Sequence, residues 1–157
     1  MSYVEAAVAP LRKTGQIKLH GKEAFAGMRK AGQLVAECLD MLVGEVEPGI
    51  PTDKLDKLVL DFAFDHGAVP ATLMYRGYKK STCTSINHVV CHGMPADQAM
   101  KDGDIVNIDG TLILDGWLGA SSRIYPSGTR PSLAHTRVDA PHAAVPPRAH
   151  RLLPGAP

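Results

Sequence analysis

The sequence predicts an α+β domain in which two helices back an antiparallel sheet, and three observations carry that reading. Apolar residues recur at gaps of three and four through residues 22–46, and again through 52–67. After Gly67 the period shortens to that of strands, with short β-branched or apolar runs. An Asp115-Gly116 pair then separates two longer runs, 104–114 and 117–125, which is the pattern of a hairpin closed by a type I′ turn. The chain has 157 residues, 45% hydrophobic and 21% charged, a balance that suits one folded domain.

In the first helix Phe25, Met28, Gly32, Val35, Leu39 and Leu42 are expected to form the buried face, and Pro48-Gly49 ends the segment. Thr52 is expected to cap the second helix, with Asp53 in its first turn. Leu55, Leu58, Val59 and Phe62 make its apolar side, and Gly67 is its stop. Residues 81–86 and 88–91 read as strands.

The hairpin is the most informative element. A two-residue turn sets 114 opposite 117, which places Asp109 across from Ser122 and Thr111 across from Ala120. Side chains alternate along a strand, so 109, 111, 120 and 122 share one face. Val106, Ile108, Leu112 and Leu114 take the other face, beneath the helices. Positions 109 and 120 become diagonal neighbours, where two carboxylates could hold metal ions between them. Here one position is Asp109 and the other is Ala120, which offers no ligand atom. On spacing alone Asp109 also reads as an ordinary strand carboxylate, and His92 as a surface histidine at a strand end. Tyr75, Tyr78 and Cys83 could line an apolar pocket, and by default they read as core or loop packing.

A net charge of +1 leaves no footprint for nucleic acid or a membrane surface, and no apolar run approaches a membrane span. The first 23 residues carry scattered charges and no apolar block, so no signal peptide is expected. Three cysteines (38, 83 and 91), without a CxxC pair, fit reduced thiols in the cytoplasm. Residues 126–157 differ sharply: they carry four Arg against one Asp, seven of the twelve prolines, and no Lys, Glu or aromatic residue. A disordered tail is expected there. Its composition fits out-of-frame translation of a GC-rich gene better than a linker or a nucleic-acid arm. The chain thus divides into an arm (1–21), a domain (22–125) and a tail (126–157).

The strings STCTSIN (81–87), VVCHGMP (89–95) and KDGDIVNID (101–109), with LDGW (114–117) and the helical region, resemble the type I methionine aminopeptidases over about residues 18–125. That resemblance implies the N-terminal half of a pita-bread fold. It also implies two divalent metal ions (Co, Mn, Fe or Zn), held by five protein ligands between two halves. A metal-bridging hydroxide would there remove the initiator methionine of nascent proteins, in an enzyme that is usually monomeric. By the same resemblance Asp109 stands at the first metal-ligand position, and His92 at the histidine that contacts substrate and stabilises the transition state. Tyr75, Tyr78 and Cys83 stand where the family lines its methionine pocket, and Asn87 in a loop that binds a monovalent cation.

Departures accompany the match. WLGAS (117–121) replaces the family's W-H-G-D-T, so Ala120 occupies the second aspartate ligand position. Arg76 and Lys79 replace histidine and proline, His88 replaces glutamate, and Gly110 replaces valine. The family's remaining ligands, one histidine and two glutamates, belong to a C-terminal half that nothing past Tyr125 matches. The expectation is a chain that does not hold the metals stably and is inactive or severely impaired as a peptidase. The alternatives are a non-catalytic module for N-terminal methionine peptides or the ribosome, and a non-functional frameshifted fragment.

Overall fold

The structure, a computed structural model, describes residues 20–128. Helix α1 (Lys22–Met41) runs into a 3-10 turn (Leu42–Gly44), and α2 (Thr52–Asp65) follows. The strands are β1 (Val69–Pro70), β2 (Thr82–Ile86), β3 (Ile105–Leu114) and β4 (Trp117–Pro126), with a 3-10 turn (Tyr75–Gly77) between β1 and β2. All pairings are antiparallel and converge on β3. Because β4 covers all ten residues of β3, β1 and β2 lie end to end along its opposite edge.

The hairpin has the expected register, with Leu114 opposite Trp117, Asp109 opposite Ser122 and Thr111 opposite Ala120. Asp115 (φ 51°) and Gly116 (φ 80°) both take the left-handed conformation that a type I′ turn requires. Val106, Ile108 and Leu112 are buried and Leu114 partly so, against a core that draws Leu34, Val35, Leu39, Leu55 and Val59 from the two helices. The helices therefore cover one face of the sheet, as predicted.

The buried stripe of α1 differs from the expected one. Ala24, Ala31, Leu34, Val35, Cys38 and Leu39 face inward, while Phe25 (60% exposed) and Met28 (46%) face solvent. The reason is a close approach of backbones. Gly27 lies against the Trp117 indole, and Gly119 of β4 meets the Ala31 carbonyl and the Gly32 amide. Only small residues admit that approach, so the N-terminal half of the helix turns Ala24, Gly27 and Ala31 towards β4 and leaves Phe25 and Met28 outward. The thiol of Cys38, buried beneath α1, is pushed up to about 11 by its loss of water.

Thr52 also departs from its expected role. It is the first helical residue, following an extended Pro51, and it caps nothing. Its hydroxyl donates to the Ala96 carbonyl (3.0 Å) and accepts the Ala96 N–H (2.9 Å), tying α2 to the loop before β3. Leu58 and Phe62 flank the buried row Leu55, Val59 and Ala63 and are only partly covered. Gly67 (φ 68°) does end the helix, and the Ala68 N–H reaches back to the Ala63 carbonyl at 2.8 Å.

Residues 88–91 form no strand. Asn87 enters the left-handed region (φ 52°) once its N–H has bonded the Ile105 carbonyl, and the chain then leaves the sheet. Val90 ends up 93% exposed. Strand propensity alone does not hold a β-branched run in the sheet once the preceding turn has led it away. At the other end β4 passes Tyr125 to Pro126, and Ser127 is buried with its N–H on the Asp104 carbonyl (2.8 Å). The fold thus reaches a few residues beyond the expected boundary, and the rest of the tail lies outside the described residues, as does nearly all of the N-terminal arm. Among the described residues no helix is long and apolar enough to cross a membrane.

Two glycines on either side of the α1–β4 contact should respond oppositely to alanine. At Gly119 an added Cβ meets backbone atoms that cannot rotate away, so Gly119→Ala is expected to lose about 2 kcal/mol or more in urea denaturation. Gly32 has open space and helical geometry, and Gly32→Ala should gain about 0.5–1 kcal/mol.

Candidate functional site

The face of the sheet away from the helices carries two of the predicted site residues, Asp109 and Cys83. Alternation on β3 places Asn107, Asp109 and Thr111 there, half-buried. Register adds Cys83 and Ser85 from β2 on one side, with Cys83 directly opposite Asp109. From the other side β4 adds Ala120 and Ser122. Asp109 is therefore flanked by a thiol and a hydroxyl, with the Ala120 methyl at the diagonal position where a second carboxylate would have to stand.

That donor set does not fit a two-metal centre. One carboxylate, flanked by hydroxyls and a thiol, leaves a divalent ion with too few hard ligands in a fixed geometry. Among the described residues no three His, Cys, Asp or Glu side chains converge on a common point.

Tyr78 and Cys83 are brought together. The Tyr78 hydroxyl donates to the Thr82 carbonyl (2.8 Å) and lies 3.8 Å from the Cys83 sulfur. Burial first, and then the contact with Cys83, push the phenol well above its ordinary range, so it remains a neutral donor. Tyr75 is set apart from this pair. It sits in the 3-10 turn, 62% exposed, with the Arg76 guanidinium 5.5 Å from its ring centre.

His92 is exposed, in a left-handed conformation (φ 55°), on the loop that replaces the expected strand. Its neighbour Gly93 fixes its location. The Thr84 N–H donates to the Gly93 carbonyl (2.7 Å), and the Gly93 N–H donates to Ser85 Oγ (3.1 Å). A side chain at Gly93 would collide with the Thr84 carbonyl, so glycine lets this loop press onto the free edge of β2. Asn87 braces the junction of β2 and β3. Its Nδ2 donates to Asp104 Oδ1 (2.8 Å), and its Oδ1 accepts the Ile105 N–H (3.1 Å).

One further residue organises this face. The carboxylate of Asp56 on α2 is buried, and its Oδ1 accepts three hydrogen bonds at the start of β2. These come from the Ser81 N–H (2.8 Å), the Thr82 N–H (2.8 Å) and the Thr82 hydroxyl (2.9 Å). Lys80 pairs with Asp53 (2.6 Å), and the Thr72 hydroxyl lies within hydrogen-bond reach of both the Lys80 and Ser81 carbonyls (3.1 and 2.7 Å). Desolvation pushes the Asp56 carboxyl up against the pull of its hydrogen bonds and of Lys80. A signal for it exists in the sequence: 52, 56, 59 and 63 fall on one helical stripe, with an acid among otherwise buried residues.

With this geometry established, comparison with known proteins is informative. A profile of metallopeptidase family M24 matches residues 26–145. The methionine aminopeptidase of Rickettsia prowazekii is 54% identical over 112 residues, which is 71% of this chain and 43% of that protein. The methionine aminopeptidase of Escherichia coli K12 is 45% identical over 124 residues, 78% of this chain and 47% of that one. The chain thus spans less than half the length of these relatives. The crystal structure of the R. prowazekii enzyme superposes with a TM-score of 0.74 at 50% identity, covering 78% of this chain and 49% of that one. A Bacillus anthracis Xaa-Pro dipeptidase, at 15% identity and a TM-score of 0.64, shares the fold. The described elements are accordingly part of a pita-bread fold.

The Asp56 carboxyl yields a pH signature. A carboxyl raised in the folded state stabilises below its unfolded pKa, and that contribution is lost as pH rises through its folded value. Asp56→Asn keeps the Oδ1 acceptor and removes the titration. Wild type should therefore gain stability relative to Asp56→Asn as pH falls from 7 towards 4, read from paired thermal melts. The opposite trend would mean that the hydrogen bonds outweigh desolvation.

Proposed function

The chain belongs to metallopeptidase family M24, and from that membership we propose that it is a methionine aminopeptidase-type protein that keeps the methionine slot and has lost the hydrolytic metal centre. Ala120 carries the reading. It stands diagonal to Asp109 on the face where a carboxylate pair would have to close on metal. With one carboxylate the affinity for divalent ions falls, because affinity rests on ligand number and pre-set geometry. His92 then has no developing oxyanion to stabilise.

The contact between Tyr78 and Cys83 supports the slot. Tyr78 and Cys83 adjoin each other beside Asp109, and a phenol ring with a thiol suits a flexible, polarizable thioether. The ligand is the N-terminal methionine of a new protein, met in the cytoplasm as the chain leaves the ribosome. The protein binds it without turnover.

Incubating the 157-residue chain with Mn(II) or Co(II) and a Met-Gly peptide should release no methionine above a metal-free control, while the peptide binds saturably. Release that His92→Ala abolishes would overturn the loss of hydrolysis. Neither release nor binding, together with non-cooperative unfolding, would instead mark a fragment without function. Ala120→Asp should raise Mn(II) affinity about tenfold, roughly 1.4 kcal/mol, by calorimetry. Adding Asp109→Ala should remove that gain.

A further inference from the structure

We propose that Asp56 is the positioning residue of the methionine slot, setting its shape from the helical side of the sheet without touching the ligand. The inference rests on the slot reading above and adds what holds the slot in place. A carboxylate with 6% exposure is a costly occupant of a helix stripe otherwise filled by Leu55, Val59 and Ala63. Its bonds are concentrated: all three go to Ser81 and Thr82, where the irregular segment after β1 becomes β2.

Thr82 is the link to the slot. Asp56 fixes its N–H and its hydroxyl, hence both its backbone direction and its side-chain rotamer. The Thr82 carbonyl in turn accepts the Tyr78 hydroxyl, and the next residue is Cys83, in register with Asp109. A contiguous set of bonds therefore runs from α2 through Thr82 to both slot side chains. Tyr75 has no such tether and stands exposed. Discrimination for methionine should depend on the Tyr78–Cys83 pair and, through it, on Asp56.

Three variants of the full chain separate positioning from simple stability, with binding measured on Met-Gly and Ala-Gly peptides and folding checked by cooperative melts. Wild type should prefer the methionine peptide. Asp56→Ala should reduce that preference at least fivefold, whereas Asp56→Asn, which keeps the acceptor, should retain it. In a Cys91→Ser background, alkylation of Cys83 by iodoacetamide should accelerate several-fold in Asp56→Ala and stay at the wild-type rate in Asp56→Asn. Should Asp56→Ala fail to fold, Thr82→Val deletes only the hydroxyl bond, and the same two readouts should move in the same direction by a smaller factor. Unchanged preference and alkylation in a folded Asp56→Ala or in Thr82→Val would overturn the assignment, as would an Asp56→Asn variant that behaves like alanine. Absence of peptide binding in wild type would overturn the slot reading instead, while the alkylation rates would still report whether Asp56 shapes the segment.

Discussion

A strand hydrogen-bonded along both edges has little freedom left in its register, and β3 is that strand here. Ten residues pair with β4, five with β2 and two with β1. A slip of one residue would bring Ile108 to the open face and bury Asp109 under the helices, so the apolar face of β3 holds the whole arrangement in place. The left-handed turn at Asp115-Gly116 fixes the same register from the hairpin end. Helix α1 is then located by the hairpin, because Gly119 is where its backbone can approach β4 closely. Helix α2 is located by polar bonds to loop and strand, through Thr52 to Ala96 and through Asp56 to Thr82. Close packing at Gly119 is reinforced for α1 by the Tyr125 hydroxyl, which donates to the Leu39 carbonyl (2.7 Å), and both helices contribute to a shared core.

This arrangement explains which features could be read from the residues alone. The turn chemistry of Asp115-Gly116 is local, and the alternation that follows from it is geometry, so the face carrying Asp109, Thr111, Ala120 and Ser122 was legible in advance. So were the core positions Val106, Ile108 and Leu112 and the stop at Gly67. Phe25 and Met28 misled because hydrophobic periodicity ranks large residues first, whereas the α1–β4 contact selects for small ones. Residues 88–91 misled because strand propensity says nothing about where the preceding turn sends the chain, and the left-handed Asn87 turns it out of the sheet. Thr52 falls one residue inside the cap position, which Pro51 occupies, and a loop 44 residues away claims its hydroxyl. Asp56 went unread because only its partners, 25 and 26 residues downstream, separate it from an ordinary helix acid. Tyr75, Tyr78 and Cys83 entered as a group by resemblance, and hydrogen bonding joins only the last two.

The layout also bears on how recognition and hydrolysis can part company. The proposed slot would be built on β2 and its lead-in, which are tethered to α2 on the far side of the sheet. Asp109 and Ala120 belong to β3 and β4. No hydrogen bond that fixes Tyr78 or Cys83 passes through the side chain at 120. The backbone pairing of Ala120 with Thr111 is independent of side-chain identity, and its exposed position adds little to the core. Surface substitutions of this kind usually change stability by no more than about 0.5 kcal/mol. A carboxylate there would repel Asp109 in the absence of metal, so an alanine relieves the apo fold of that repulsion. The fold therefore opposes the loss of a ligand at 120 only weakly. By contrast, Asp56→Ala would leave the buried Ser81 and Thr82 amides and the Thr82 hydroxyl without their acceptor, at about 1–3 kcal/mol each. The side chain at 120 is thus the feature this fold can change most freely, and the Asp56–Thr82–Tyr78 linkage is the one its own stability protects.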